Sequence, residues 1–191
     1  VPRSGKVVRE RLRQAALELF DEHGFDQITA ERIAARAGVT ERTFFRHFTD
    51  KREVVFEGNA QLHENLTRAL AAVPVHLEPL PAIRAAFHEL VPAIERNRPT
   101  TELGARVIAV TPALRERQLA KWAAIVTLLT DALTARGVDT RTAETGGQVG
   151  ANICAIALRR WMNDSSAGLD AELDGAFHEL HEVADTLGPQ H

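Results

Sequence analysis

Between residues 40 and 47 the chain reads Thr-Glu-Arg-Thr-Phe-Phe-Arg-His, a short run dense in polar, basic and aromatic side chains. On a helix Phe44 and Phe48 fall at i and i+4 and form its inner side. Glu41, Arg42, Thr43, Phe45, Arg46 and His47 are left for the other faces. A short, polar, basic outer surface suits phosphate contact and hydrogen bonding to base edges. The element that must brace it lies just upstream. Thr29 can N-cap a first short helix, with Glu31 in its first turn, where a carboxylate suits the dipole. Ile33, Ala34 and Ala37 give that helix a narrow apolar stripe, Gly38 supplies a positive-φ corner, and Thr40 caps the second helix. Two short helices meeting at such a corner are a helix-turn-helix, the arrangement that enters a DNA major groove.

Other chemistries find little support. His178 and His181 are three apart on a helical stretch and could share a metal, but the sequence lacks a His-Glu-x-x-His spacing, and a solvated face is the better reading. No metal site is expected. Cys154 falls on an apolar face with no base near it in sequence, so an inert buried thiol is expected. Gly146-Gly147 lies in a helical pattern with no preceding strand, unlike a phosphate-binding loop. No cofactor is expected, and the chain does not read as an enzyme.

The 191 residues carry a net charge of −3, unevenly distributed. Residues 1–52 hold 11 Lys and Arg against 8 Asp and Glu, a net of +3, and residues 53–191 hold a net of −6. A basic head on an acidic body fits local phosphate contact without general stickiness to polyanions. We therefore place a DNA-binding domain at 1–52 and a ligand-binding and dimerisation domain at 53–191. A single cysteine excludes an intrachain disulfide. No apolar run approaches the ~20 residues that span a bilayer, and no signal peptide is read at the start. A cytoplasmic protein without a membrane partner is expected.

The periodicity is helical throughout. Val8, Leu12, Ala15, Ala16, Leu19 and Phe20 make one face of a helix over 6–23, closed by Gly24. Arg3, Lys6, Arg9, Arg11 and Arg13 crowd its beginning, either as a solvated face or, Lys6 and Arg9 foremost, as phosphate contacts. Asp50 and Glu53 form a capping box that opens a helix to Val73, about 35 Å long. Three prolines between 74 and 81 break the chain. Further helices follow: one from Ile83 that Pro92 kinks and Pro99 ends, one capped by Thr101, one started by Thr111-Pro112 and closed by Gly137, one over 140–163 and one over 169–187. No stretch alternates with period two. The fold class is all-α, with about nine helices.

The last two helices suit association. Over 140–163, Ala143, Gly147, Gly150, Cys154, Ala157 and Trp161 form one face, and Val149, Ile153 and Ile156 belong to another. Leu173, Phe177 and Leu180 recur at near-heptad spacing on the last helix. These six larger apolar residues, Val149, Ile153, Ile156, Leu173, Phe177 and Leu180, are the expected interface of a homodimer, the alternative being an ordinary monomer core. Arg106, Trp122, Asn152 and Trp161, with Phe87, Leu103 and Val126, can line a ligand cavity between helices, with core packing or surface ion pairs as the competing reading.

The segment from Lys6 to Phe56 resembles the DNA-binding domain of the TetR family of transcriptional regulators. The resemblance runs through Ala15-Ala16-x-x-Leu19-Phe20, Gly24-Phe25, Thr29-x-x-x-Ile33-Ala34, Ala37-Gly38-Val39, Thr43-Phe44-Phe45-Arg46-His47-Phe48 and Lys51. It implies a dimer on a palindromic double-stranded operator. Thr29, Thr43, Phe45, His47 and Lys51 match positions that contact phosphate in the family. Glu41, Arg42 and Arg46, beside the cap residue Thr40, match positions that reach base edges. Phe45 stands where tyrosine is common, so its ring can offer van der Waals contact, as to a thymine methyl, but no hydroxyl.

The body resembles the C-terminal domain of the mycofactocin-cluster type of TetR regulator through Arg106-Val107-Ile108, Thr111-Pro112-x-Leu114-Arg115, the Trp122 helix, Arg136-Gly137 and the segment 155–161. That resemblance implies a small-molecule effector of acyl-CoA-like chemistry. The expected function is a ligand-responsive repressor released from its operator by the effector. The alternative is a helical small-molecule-binding protein or enzyme with a vestigial DNA-binding head.

Overall fold

The computed structural model describes residues 2–164 and 166–186. Within them lie ten α-helices and no strand: α1 Pro2–His23, α2 Ala30–Arg36, α3 Glu41–His47, α4 Lys51–Val55, α5 Asn59–Ala72, α6 Pro79–Arg96, α7 Arg98–Val110, α8 Pro112–Ala135, α9 Thr140–Asn163 and α10 Leu169–Thr186. A 3-10 turn, Phe25–Gln27, joins α1 to α2. The expected Leu187 lies outside the described residues.

The helix boundaries follow local chemistry. Gly24, at φ 83°, lets the chain leave α1, and Phe25 folds back on Phe20 with ring centroids 4.9 Å apart. Thr29, Thr40 and Asp139 each accept a backbone N–H three residues on, from Arg32, Thr43 and Thr142. Asp50 caps α4 in the same way, accepting the Glu53 N–H at 2.8 Å. The Glu53 carboxylate reaches back one residue further than a simple capping box and accepts the Thr49 N–H at 2.6 Å. At the end of α8 the Val138 N–H reaches the Leu133 carbonyl and the Gly137 N–H the Thr134 carbonyl, a Schellman closure with Gly137 at φ 88°.

Two expectations are corrected. The stretch from Lys51 to Val73 is not one 35 Å rod: α4 stops at Val55 and α5 starts at Asn59, with Gly58 at φ 90° between them. A residue in that conformation cannot continue a right-handed helix. Thr101 does not begin α7 either. That helix starts at Arg98 with Pro99 in its first turn, and the Thr101 hydroxyl donates to the Asn97 carbonyl at 3.0 Å.

The chain forms two compact units, Val1–Ala60 with Asn97–Leu119, and Gln61–Arg96 with Ala120–His191. The first unit has one core, in which Leu12, Leu17, Ile28, Ile33, Phe44, Phe48 and Val54 are joined by Val107 from α7 and Leu114 from α8. An Arg106–Asp21 ion pair at 3.2 Å adds a surface tie between α7 and α1. In the second unit the core is built from Leu66, Leu70, Ile83, Phe87, Ile125, Leu129, Leu133, Cys154 and Leu173. Arg136 holds the end of α5 there by donating to the carbonyls of Leu70, Val73 and Pro74 at 2.7–3.1 Å.

Candidate nucleic-acid interface

The site is built on α2 and α3. The buried side chains Ile33, Ala34, Phe44 and Phe48 seat both helices on the core of the first unit. Because Phe44 and Phe48 point inward, the turn of helix between them must point outward. Thr40, Glu41, Arg42, Phe45 and Arg46 are exposed, and Thr43 and His47 half-buried. Phe45 is 54% exposed, with its ring edge-on to Phe44 at 5.3 Å. An aromatic ring that exposed, set between two arginines, is a costly surface for water alone.

Gly38 makes the corner at φ 66°. The Arg11 guanidinium packs into that corner and donates to the Ala37 carbonyl, so the end of α2 is held from behind by α1. A Cβ at Gly38 would lie 2.9 Å from Arg11 Nη2. Nothing in the local sequence signals this bond, which crosses 26 residues.

The cations sort into two groups. Arg42 and Arg46 on α3, Arg32 on the first turn of α2, and Lys6 on α1 are exposed, and their side chains make no hydrogen bond or ion pair with another described residue. Arg32 is an addition to the residues expected from sequence; its place three residues after the Thr29 cap was the available signal. The remaining group is engaged internally. Arg9, expected near phosphate, donates to Glu57 at 2.5 Å, approaches Glu53 at 3.8 Å and covers the Phe48 ring. Arg13 lies 4.0 Å from Glu10. Arg3 has no described side chain.

Lys51, expected at phosphate, is also engaged within the protein. Its Nζ donates to the carbonyls of Phe25 at 2.8 Å, Ile28 at 3.0 Å and Asp26 at 3.4 Å. Burial lowers its pKa from the usual lysine value. His47 places Nε2 inside, where no described residue bonds to it. Burial, then the positive charges of Arg46 and Arg9, lower its pKa, against an opposing pull from Glu57. The Thr40 and Thr43 hydroxyls bond each other at 3.0 Å across the start of α3. Thr29 is exposed at the start of α2.

The residues expected to line a ligand cavity are divided between the two units. Leu103 packs on the core of the first unit, and Arg106 there is paired with Asp21. In the second unit Trp122 and Val126 pack against the core, and Trp161, 1% exposed, fills a cluster with Val91 and Leu169. Asn152 is exposed and donates to the Gln148 carbonyl. Phe87 lines a cavity of about 10 Å³ with Val91, Ile94, Cys154, Leu158, Leu169 and Leu173. A larger groove of about 600 Å³, open to solvent, runs between α5 and α6. Its walls are Ala69, Ala72, Val73, Pro74, Ala85, Leu90 and Ala93, with Asn65, Arg68 and Glu89 as polar groups.

Of the six residues expected at a dimer interface, Val149, Ile153, Ile156 and Leu180 are half-exposed. Leu173 and Phe177 are 2% and 6% exposed and belong to the chain's own core. Heptad-like spacing could not separate the two classes, because the α10 face that carries them packs on α6 and α9.

The described residues contain no group of three or more metal-ligating side chains, and no helix long and apolar enough to cross a membrane. Cys154 is fully buried, and burial pushes its thiol pKa up.

Comparison with known proteins agrees with this geometry. Residues 12–57 match the family model described as bacterial regulatory proteins, tetR family, and residues 77–185 match the MftR C-terminal domain. The MftR protein of Mycobacterium tuberculosis, named as a mycofactocin biosynthesis transcriptional regulator, is 26% identical, over 98% of this chain and 99% of its own. The HTH-type transcriptional regulator TcmR of Streptomyces glaucescens is 39% identical over 83 residues, 44% of this chain and 37% of TcmR. The crystal structure of Thermus thermophilus FadR, a TetR-family repressor in complex with lauroyl-CoA, superposes with a TM-score of 0.58. It is 26% identical, and the match covers 91% of this chain and 93% of that one.

Proposed function

The chain belongs to the tetR family of bacterial regulatory proteins with an MftR-type C-terminal domain, and we propose that it is a ligand-responsive repressor that reads a palindromic operator as a homodimer. One observation carries the reading: Arg42, Phe45 and Arg46 leave α3 side by side, exposed, with neither arginine engaged inside the protein. A bidentate arginine on guanine and an aromatic ring on a thymine methyl are the base contacts such a face can make. Thr29, Thr40, Thr43 and His47 border it as phosphate partners, with Glu41 at the base edges.

A single α3 covers too few base pairs for specificity, so the reading requires two. Half-sites one helical turn apart have centres about 34–36 Å apart. The half-exposed Val149, Ile153, Ile156 and Leu180 supply an apolar face for pairing two copies. The effector acts in the second unit by favouring one of two packings, to the extent of its differential affinity for them. Helices α5 and α8 each begin in the first unit and end in the second, and with the α6–α7 junction at Arg96–Asn97 they are the covalent routes for that change. Acyl-CoA-like chemistry is supported by the MftR-type domain and by the lauroyl-CoA bound to the related FadR. Catalysis forms no part of this reading.

The test is in vitro selection of duplex DNA on the purified full chain, followed by footprinting and titration with lauroyl-CoA. A protected inverted repeat, bound with steep salt dependence and released by the acyl-CoA, is the expected result. Failure to enrich any duplex would overturn the repressor reading. Enrichment without release would overturn only the effector class.

A further inference from the structure

Resting on that DNA-binding reading, we propose that Lys51 is a positioning residue of the interface, bracing the α2 N-terminus through its three carbonyl bonds, and not a phosphate contact. An ammonium group has three N–H donors and no acceptor. The Lys51 donors face the carbonyls of Phe25, Asp26 and Ile28, all in the turn between α1 and α2. The Nζ also sits 4.3 Å above the centroid of the Phe25 ring, which closes a further side of the group. To reach a phosphate, Lys51 would have to abandon its part-buried bonds to the Phe25 and Ile28 carbonyls, a loss the new contact would first have to offset.

The bond pattern has a consequence for α2. Ile28, whose carbonyl Lys51 holds, immediately precedes Thr29, whose hydroxyl caps α2 by accepting the Arg32 N–H at 3.3 Å. Lys51 is itself the first residue of α4, and that helix follows α3 after only Phe48, Thr49 and Asp50. One side chain thus ties the entrance of α2 to the exit of α3. It fixes the position of Thr29 and Arg32 relative to Arg42 and Arg46, so that groups on two helices meet one backbone in register.

The two roles predict different salt behaviour. Each phosphate neutralised contributes about 0.9 to the slope of log K against log salt, whereas a group that only positions others contributes nothing to it. The measurement compares the wild-type full chain with Lys51→Met, Lys51→Arg and Thr29→Ala. The probe is a duplex enriched on the wild type, titrated across a potassium chloride series. In Lys51→Met the Kd at fixed salt should rise roughly tenfold, the scale of one charge-assisted hydrogen bond, with the slope unchanged. The Thr29→Ala penalty should shrink in the Lys51→Met background, because both substitutions loosen the same turn. Lys51→Arg keeps the charge but presents a planar fork, and should bind as weakly as Lys51→Met. A slope shallower by about one unit per lysine removed, or wild-type affinity in Lys51→Arg, would overturn the proposal. Lys51→Arg carries the test if Lys51→Met melts below the assay temperature. A wild-type chain that enriches no duplex refutes the DNA-binding reading instead, so the two failures are distinguishable.

Discussion

Gly147 of α9 lies directly against Thr130 of α8: a Cβ built on the glycine would stand 2.5 Å from the Thr130 hydroxyl and 3.0 Å from its backbone nitrogen. The hydroxyl can rotate away, but the nitrogen cannot move without shifting α8. Gly147→Ala should therefore destabilise the fold by about 1–3 kcal/mol, the range for overpacking a tight contact. Gly175, inside α10, has nothing within 4 Å of its virtual Cβ. There alanine should stabilise by about 0.5–1 kcal/mol through the unfolded chain. Chemical denaturation of both variants checks the opposite signs.

On the proposed DNA face, Arg42→Ala and Arg46→Ala should each weaken binding. A loss of about 1–3 kcal/mol confined to one base position marks a base reader. A uniform loss with a salt slope lower by about one marks a phosphate contact. Phe45→Tyr should tighten binding by about 0.5–1.5 kcal/mol if the added hydroxyl finds a phosphate oxygen. Fluorescence anisotropy on a panel of single-base variants of the selected duplex separates these outcomes.

Association and folding should separate on neighbouring helices. Ile153→Glu places a charge on the half-exposed face of α9 and should shift the sedimentation profile from dimer to monomer with little change in helix content. Leu173→Ala empties a buried site in the second unit and should cost about 2–5 kcal/mol of stability. A dimer that persists in Ile153→Glu would remove that face from the proposed interface.

Acid should act on the first unit through His47. Burial and the charges of Arg46 and Arg9 set its folded pKa below the unfolded value of 6.5. The folded state then binds fewer protons, so the stability linked to His47 is complete above pH 6.5 and lost as pH falls toward the lowered pKa. A second decline should follow in the carboxylate range. Asp50 is held low there, because the Glu53 N–H and the nearby Arg52 outweigh the upward push of burial. Urea melts between pH 7 and pH 3 should show both limbs, and His47→Gln should remove the upper one alone.

Much of the head was legible because its signals are local. Caps at Thr29, Thr40 and Asp50, the positive-φ glycines 24 and 38, and the i, i+4 pair Phe44 and Phe48 each act within a few residues. What escaped depended on partners far along the chain. Lys51 and Arg11 bond carbonyls 23–26 residues away, and Arg9 finds Glu57 at a separation of 48. The family resemblance implied phosphate for Lys51, and the crowding of cations on α1 suggested it for Arg9; only the fold shows the protein groups that these side chains hold. The rod expected from 51 to 73 failed at Gly58, because periodicity on either side says nothing about the φ of the residue between. The apolar periodicity of α10 was correct, but it could not distinguish a face turned toward the same chain from one turned toward another.

Val107 and Leu114 complete the core beneath α2 and α3, although they lie more than fifty residues beyond them in the chain. The first unit is therefore not a contiguous cassette. Transplanting residues 1–52 onto a foreign body would carry Arg42, Phe45 and Arg46 but leave behind two of the side chains on which their helices rest. A functional exchange of operator specificity between relatives has to move 97–119 as well, or else change only the outward residues of α3 and leave the scaffold whole.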